Sequence, residues 1–183
     1  NSLLAIRIDR IGDLVISLPA LRVLKQCFPS AKISILVRCG NDAFLEGIPG
    51  IDEVILYQGF IKTVWGLRKR HFDIAIDFLM DYPLKTALLA YLSKAEIIAG
   101  FDIAGRGRFF NLKLSPVGER KHISQHILDL VTAIIKAYSD RDVAATSLYP
   151  EIPISKQNRE ELKFFLKEKG IEVQGLLVGI HPG

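Results

Sequence analysis

Seven residues near the start of the chain, Arg7-Ile8-Asp9-Arg10-Ile11-Gly12-Asp13, combine cations, carboxylates and a glycine directly after an apolar run. If that run is the first strand of an open sheet, they stand at its carboxyl end, where such sheets gather ligands. Gly12 would let a ligand come close to the backbone. The Asp13 carboxylate would project into the cleft and could take a proton from a hydroxyl such as a sugar's. The same residues also suit a structural role, with Asp13 capping a helix and Gly12 in a turn, and the local pattern leaves both open. The spacing is not that of a dinucleotide loop, because G-x-G-x-x-G is missing after the run.

Other clusters carry weaker signals. Gly105-Arg106-Gly107-Arg108 could hold phosphates or a carboxylate through bidentate arginine contacts; a solvated basic loop accounts for it as well. Asp77 and Asp81 bracket a strand end and a helix start, which favours turn and capping roles. His122 and His126 are four apart on one helix, yet the glutamate of a zinc-protease helix is missing between them. Surface, cap or cleft positions suit these histidines better than a metal, and no metal site is expected. His181-Pro182-Gly183 follows an apolar run, so the backbone N–H groups beyond it suit a nucleotide pyrophosphate. Trp65 with Ile61 and Val64 could face lipid or a partner, although packing of their helix on the core is the simpler account.

Positioning these groups requires an alternation of strands and helices. Strands are expected at residues 3–8, 33–37, 53–56, 74–77 and 97–99. Helices are expected at 14–28, 41–46, 61–70 and 81–93, the last capped by Asp81 with Pro83 in its first turn. Pro19 either starts the first helix, near Ser17, or kinks one begun at Asp13. Runs such as Ile33-Ser34-Ile35-Leu36-Val37 lack strict alternation, as expected of a parallel sheet covered on both faces. Beyond it lie the basic glycine loop, a short aromatic strand at Phe109-Phe110, a helix over 121–138 and a linker over 138–155. A charged helix over 155–169, with Leu162, Phe165 and Leu166 inward, and a strand over 176–180 would open a second domain. The division falls at residues 1–150 and 151–183.

Composition narrows the classes. With 183 residues, 49% of them hydrophobic and 24% charged, the chain is globular rather than disordered or fibrous. The net charge of +4 suits anionic partners without choosing among them. Cys27 and Cys39 lie in neither a Cys-x-x-Cys nor a metal-ligand spacing, so a reducing, cytoplasmic compartment is expected. Charges at Arg7, Asp9, Arg10 and Asp13 interrupt the opening run before any cleavage-like site, and no uncharged run reaches membrane-spanning length. Nucleic acid is not expected as a partner, since aromatic and basic residues are not interleaved as in a single-strand platform. Peripheral contact with a membrane remains open.

Taken in order, the segments Ile6-Arg7-Ile8-Asp9-Arg10-Ile11-Gly12-Asp13, Leu18-Pro19-Ala20-Leu21-Arg22, Phe28-Pro29-Ser30-Ala31-Lys32-Ile33, Phe72-Asp73-Ile74-Ala75-Ile76-Asp77, Gly100-Phe101-Asp102 and His181-Pro182-Gly183 resemble glycosyltransferase family 9, the lipopolysaccharide heptosyltransferases. The resemblance implies a Rossmann-like parallel sheet with helices on both faces, the N-terminal half of a GT-B enzyme. That half mainly holds the acceptor, a lipid A and Kdo-type glycolipid, at the cytoplasmic face of the inner membrane. It implies an inverting, metal-independent transfer of heptose from ADP-L-glycero-D-manno-heptose, with Asp13 as base, Gly12, Arg10, Arg106 and Arg108 toward the acceptor, and His181, Pro182 and Gly183 on the donor side. No cofactor is implied beyond the nucleotide-sugar substrate. The family's C-terminal donor-binding domain would lie beyond residue 183, so the chain is expected to be an acceptor half, inactive alone. Rival readings are a GT-B enzyme using another nucleotide sugar and a stand-alone domain binding sugar or phospholipid headgroups.

Overall fold

The computed structural model describes residues 1–80, 84–116, 121–139, 149–171 and 180. The chain divides into two compact units, Asn1–Glu151 and Ile152–Gly183. In the first, six strands form one sheet: β1 (Ser2–Arg7), β2 (Lys32–Val37), β3 (Glu53–Leu56), β4 (Ile74–Asp77), β5 (Ile97–Phe101) and β6 (Leu112–Leu114). Their order is β3-β2-β1-β4-β5-β6, and every neighbouring pair is parallel. This is the Rossmann-like α/β architecture. From β1 the chain moves outward one way to β3, and from β4 it moves the other way to β6. The crevice at the carboxyl ends of β1 and β4 therefore lies at the topological switch point, the place where such sheets bind ligands.

Strands β1 to β5 each supply both cores because successive side chains point to opposite faces. Leu3, Ala5, Ile33, Ile35, Val37, Ile74 and Ile76 pack on one face, beneath α2 (Leu18–Cys27) and α5 (Ile123–Tyr138). Leu4, Ile6, Leu36, Ala75 and Ile98 pack on the other, beneath α3 (Phe60–Arg68) and α4 (Leu84–Leu92). Burying a side chain of this size contributes roughly 1.5–3 kcal/mol, so burial on both faces explains why β1 and β2 read as almost unbroken apolar runs.

A short helix, α1 (Ile11–Val15), precedes α2. Pro19 stands in the first turn of α2, where its missing N–H is not needed, and Ser17 is the N-cap residue. Pro19 thus starts a second helix. The Ser17 hydroxyl does not cap; it donates to the Asp13 carbonyl at 2.8 Å, joining the two helices.

Three expectations are corrected. Phe109 and Phe110 do not form a strand: residues Arg106–Phe109 make a 3-10 turn entered through Gly105 at φ +79°. The last strand comes later, at Leu112–Leu114, whose alternation is too short to read in advance. On α3, Ile61 and Trp65 do not pack on the core but are 84% and 63% exposed; Thr63 and Leu67 are buried instead. In the second unit, α6 (Lys156–Glu168) forms, with the Ser155 hydroxyl accepting from the Asn158 N–H at 3.0 Å. Its Leu162 and Phe165 are nevertheless exposed, since no second layer of described residues in that unit covers them. The Asp81 cap, Pro83, the strand expected over 176–180 apart from Ile180, and His181-Pro182-Gly183 lie outside the described residues, as do 140–148 of the expected linker.

Candidate functional site at the switch point

At the end of β1 the alternation would place another apolar side chain, and Arg7 stands there instead, 2% exposed. A guanidinium is tolerated in such a place only where its donors are satisfied. Arg7 Nη1 donates to the Phe78 carbonyl at 2.6 Å, and Nε donates to the Asp13 carbonyl at 3.0 Å. The Asp9 carboxylate lies 3.3 Å from Nε, and Asp13 Oδ1 lies 3.6 Å from Nη2. One side chain therefore ties the loop after β1, the first turn of α1 and the segment after β4 into a single edge. Asn41, from the loop after β2, donates through Nδ2 to the Asp9 carbonyl at 3.2 Å and extends that edge.

Asp13 is not a helix cap. It lies inside α1, whose N-cap position is taken by Arg10. Its side chain is 36% exposed, so the carboxylate is fastened by Arg7 on one side and reaches solvent on the other. Arg10, Ile11 and Gly12 are exposed beside it. A Cβ built on Gly12 meets nothing within 4 Å, and its φ is not in the left-handed region. Neither packing nor backbone strain within the described residues requires glycine there, whereas close approach of a ligand would.

The basic glycine loop resolves into two unlike arginines. Arg106 is 0% exposed. Its Nη2 donates to the Asp77 carboxylate in a very short contact and to Thr86 Oγ1 at 3.2 Å, and Nη1 donates to the Leu79 carbonyl at 2.8 Å. The expectation that Arg106 contacts an acceptor is therefore corrected: the side chain is fully buried and its two Nη groups bond inside the protein, holding the start of α4 and the end of β4 to the loop after β5. Complete burial pushes the Asp77 carboxyl above the ordinary aspartate range, while the Arg106 guanidinium, the Leu79 N–H and the Thr86 hydroxyl pull it down. Arg108, by contrast, is exposed, and its Nε donates to the Gly105 carbonyl at 2.9 Å.

The glycines of this region have packing reasons. A Cβ on Gly107 would come within 2.1 Å of the Asp102 carboxylate, and one on Gly100 within 2.4 Å of the Phe110 ring. The two histidines of the α5 segment also have structural places. His122 caps α5, its Nδ1 accepting from the Ser124 N–H at 3.3 Å, and His126 is buried on the same helix.

Two residues that organise the site, Arg7 and Asn41, carry no assigned role in the sequence pattern. A charged residue where a strand's alternation calls for an apolar one is a signal that Arg7 does carry. Asn41 carries none, because its partner is 32 residues away in sequence.

No family model matches the sequence, and no curated protein matches it. Solved structures do. A glycosyl transferase of family 9 from Veillonella parvula is 20% identical over 93% of this chain and 50% of its own, with a TM-score of 0.73. The E. coli ADP-heptose lipopolysaccharide heptosyltransferase II is 18% identical over 94% of this chain and 52% of its own, with a TM-score of 0.73. The E. coli heptosyltransferase WaaC with ADP is 20% identical over 81% of this chain and 50% of its own, with a TM-score of 0.64. At these identities the likeness establishes the fold, and the chain spans about half the length of each of these proteins.

Proposed function

We propose that this chain is the acceptor-side half of an inverting glycosyltransferase of family 9, of the heptosyltransferase type, and that Asp13 is its general base. The observation that carries the reading is the placement of Asp13: a carboxylate open to solvent on one side, fastened by the buried Arg7 at the switch point of the sheet, in a chain whose fold matches about half of each of those enzymes. In the proposed reaction the Asp13 carboxylate takes the proton of an acceptor hydroxyl. The acceptor oxygen forms a bond to the anomeric carbon of the donor sugar, and the bond from that carbon to the nucleoside diphosphate breaks on the opposite face. The electron pair leaves with the diphosphate, and the anomeric configuration inverts. Holding the reacting groups in line supplies part of the acceleration. Charge on the departing diphosphate needs stabilising groups, which this reading places in a donor domain continuing from His181-Pro182-Gly183.

The donor is proposed to be ADP-heptose and the acceptor a phosphorylated glycolipid of the lipid A and Kdo type, with Arg10 and Arg108 as exposed cations toward it and Gly12 giving access to the backbone. The test is ADP release from ADP-heptose by the longest protein that carries this chain, with and without a Kdo-lipid A acceptor, beside the 183-residue chain. Acceptor-dependent release by the longer protein alone supports the reading. General base catalysis contributes typically about 10²–10⁴-fold, so Asp13→Asn should lower kcat by at least about a hundredfold with donor affinity unchanged. Unchanged turnover removes Asp13 from the mechanism, and release with another nucleotide sugar alone replaces the donor.

A further inference from the structure

The α3 and α4 layer has a composition that the transfer reaction does not use. Neither residues 58–72 nor residues 84–95 contain an aspartate or glutamate, whereas together they carry Lys62, Arg68, Lys69, Lys85 and Lys94, besides Arg70, which is paired with Glu53 of β3 at 3.1 Å. On the outside of α3, Ile61 and Trp65 are four residues apart and so share a helix face, and both are largely exposed. On α4, Leu84 and Tyr91 are two turns apart and also exposed. The two helices are side by side, joined by Arg68 Nε donating to the Leu92 carbonyl at 3.3 Å. The cations stand among the apolar groups: Lys69 Nζ lies 3.3 Å from the centre of the Trp65 ring, and Lys85 Nζ lies 4.9 Å from that of Tyr57.

We propose that this face docks on an anionic lipid bilayer. Aliphatic and indole side chains would enter the boundary between headgroups and acyl chains, while the lysines and arginines would meet lipid phosphates. Ile61 and Leu84 decide between a bilayer and a nucleic acid, since exposed aliphatic groups gain by leaving water for acyl chains but offer no ring for a base to stack on. Charge decides between a bilayer and an arbitrary protein, because two helices that carry no carboxylate of their own, and whose cations other than Arg70 are not paired with Glu53, are complementary to a continuous anionic surface. No described helix is long and apolar enough to cross a membrane, so the contact is peripheral. Ile61, Lys62, Leu84 and Lys85 lie in the first turns of their helices, and helices that follow parallel strands start at the carboxyl edge of the sheet. The docked face thus borders the edge that carries Arg7 and Asp13. Binding itself needs neither donor nor acceptor, so this inference stands or falls apart from the transferase reading.

Trp65 is the only tryptophan of the chain, so intrinsic fluorescence reports on this face directly. Vesicles of equimolar phosphatidylglycerol and phosphatidylcholine should shift its emission to the blue and carry the chain in flotation, and pure phosphatidylcholine vesicles should do neither. Each basic residue near such a surface contributes about fivefold to partitioning, so Lys62→Gln with Lys69→Gln should weaken it roughly twenty-five-fold. Ile61→Ser should weaken it roughly tenfold. These changes touch exposed side chains only, and an unchanged urea midpoint confirms that folding is not what is being read. Unchanged emission with anionic vesicles, equal binding to both vesicle types, or parental binding by the double variant overturns the inference. So does a single-stranded oligonucleotide shifting Trp65 emission where anionic vesicles do not.

Discussion

Two arginines separated by a single glycine should behave in opposite ways, and the difference is large enough to measure. Arg106 is fully buried, and its Nη groups donate to the Asp77 carboxylate, Thr86 Oγ1 and the Leu79 carbonyl. Arg106→Leu keeps an apolar body in the same space but leaves a buried carboxylate without its cation and a buried carbonyl without its donor. Removing one partner of such a pair typically destabilises by about 3–5 kcal/mol, a large share of the roughly 5–15 kcal/mol that holds an ordinary domain. With a urea dependence of about 2 kcal/mol per molar for a unit of this size, the midpoint should fall by roughly 1.5–2.5 M. Arg108→Ala removes an exposed side chain bonded to the Gly105 carbonyl, and should change stability by less than about 0.5 kcal/mol. Asp77→Asn added to Arg106→Leu should recover part of the loss, because no charge is then left stranded. The assay is equilibrium urea unfolding followed by circular dichroism. A midpoint for Arg106→Leu within about 0.3 M of the parent, or an equal fall for Arg108→Ala, would refute the reasoning.

Further outcomes follow from the same contacts. Gly100→Ala puts a methyl group against the buried Phe110 ring and should destabilise by about 1–3 kcal/mol, with Phe110→Leu restoring part; Gly107→Ala should be milder, since the Asp102 carboxylate it meets is partly exposed and its partner Lys113, at 2.8 Å, is a long, half-exposed side chain that can follow it. Arg7→Met should lower turnover of the longer protein by loosening Asp13 while leaving its donor affinity intact, and a parental acceptor kcat would show that Arg7 does not position the carboxylate. Glu53 is held below the ordinary glutamate range, first by the hydrogen bond from Lys32 and against the opposing effect of burial, with Arg70 and Ser34 adding to the first. Because its folded-state proton affinity is depressed, its stabilising contribution is present above the unfolded value of 4.5 and is lost as pH falls through the lower folded value. Glu53→Gln should therefore flatten the acid limb of a stability profile, and an unaltered limb would show that its partners contribute nothing.

The legible part of this protein is what short-range chemistry encodes. Glu53–Leu56 and Ile74–Asp77 form as strands where their apolar runs lie between breakers, and Lys32–Val37 reads as covered on both faces because it is. Ser155 caps a helix because its hydroxyl finds an N–H three residues on. The loop from Arg7 to Asp13 is legible as a candidate site, since its charges and glycine directly follow an apolar strand, at the end where open sheets gather ligands. What tertiary structure alone decided is which of those charges meet. Arg106 and Arg108 share one tetrapeptide and both adjoin Gly107, yet one is buried on Asp77, 29 residues earlier in the sequence, and the other is in water. Ile61 and Trp65 have the spacing of a core stripe and lie outside it, because Thr63 and Leu67 take the inner side of α3. Periodicity reports that a helix has two sides, and only the strand order beneath it determines which side is covered. The same order, β1 beside β4, brings the Phe78 carbonyl to Arg7 across 71 residues. That contact fastens the proposed base, and no pattern within the loop encodes it.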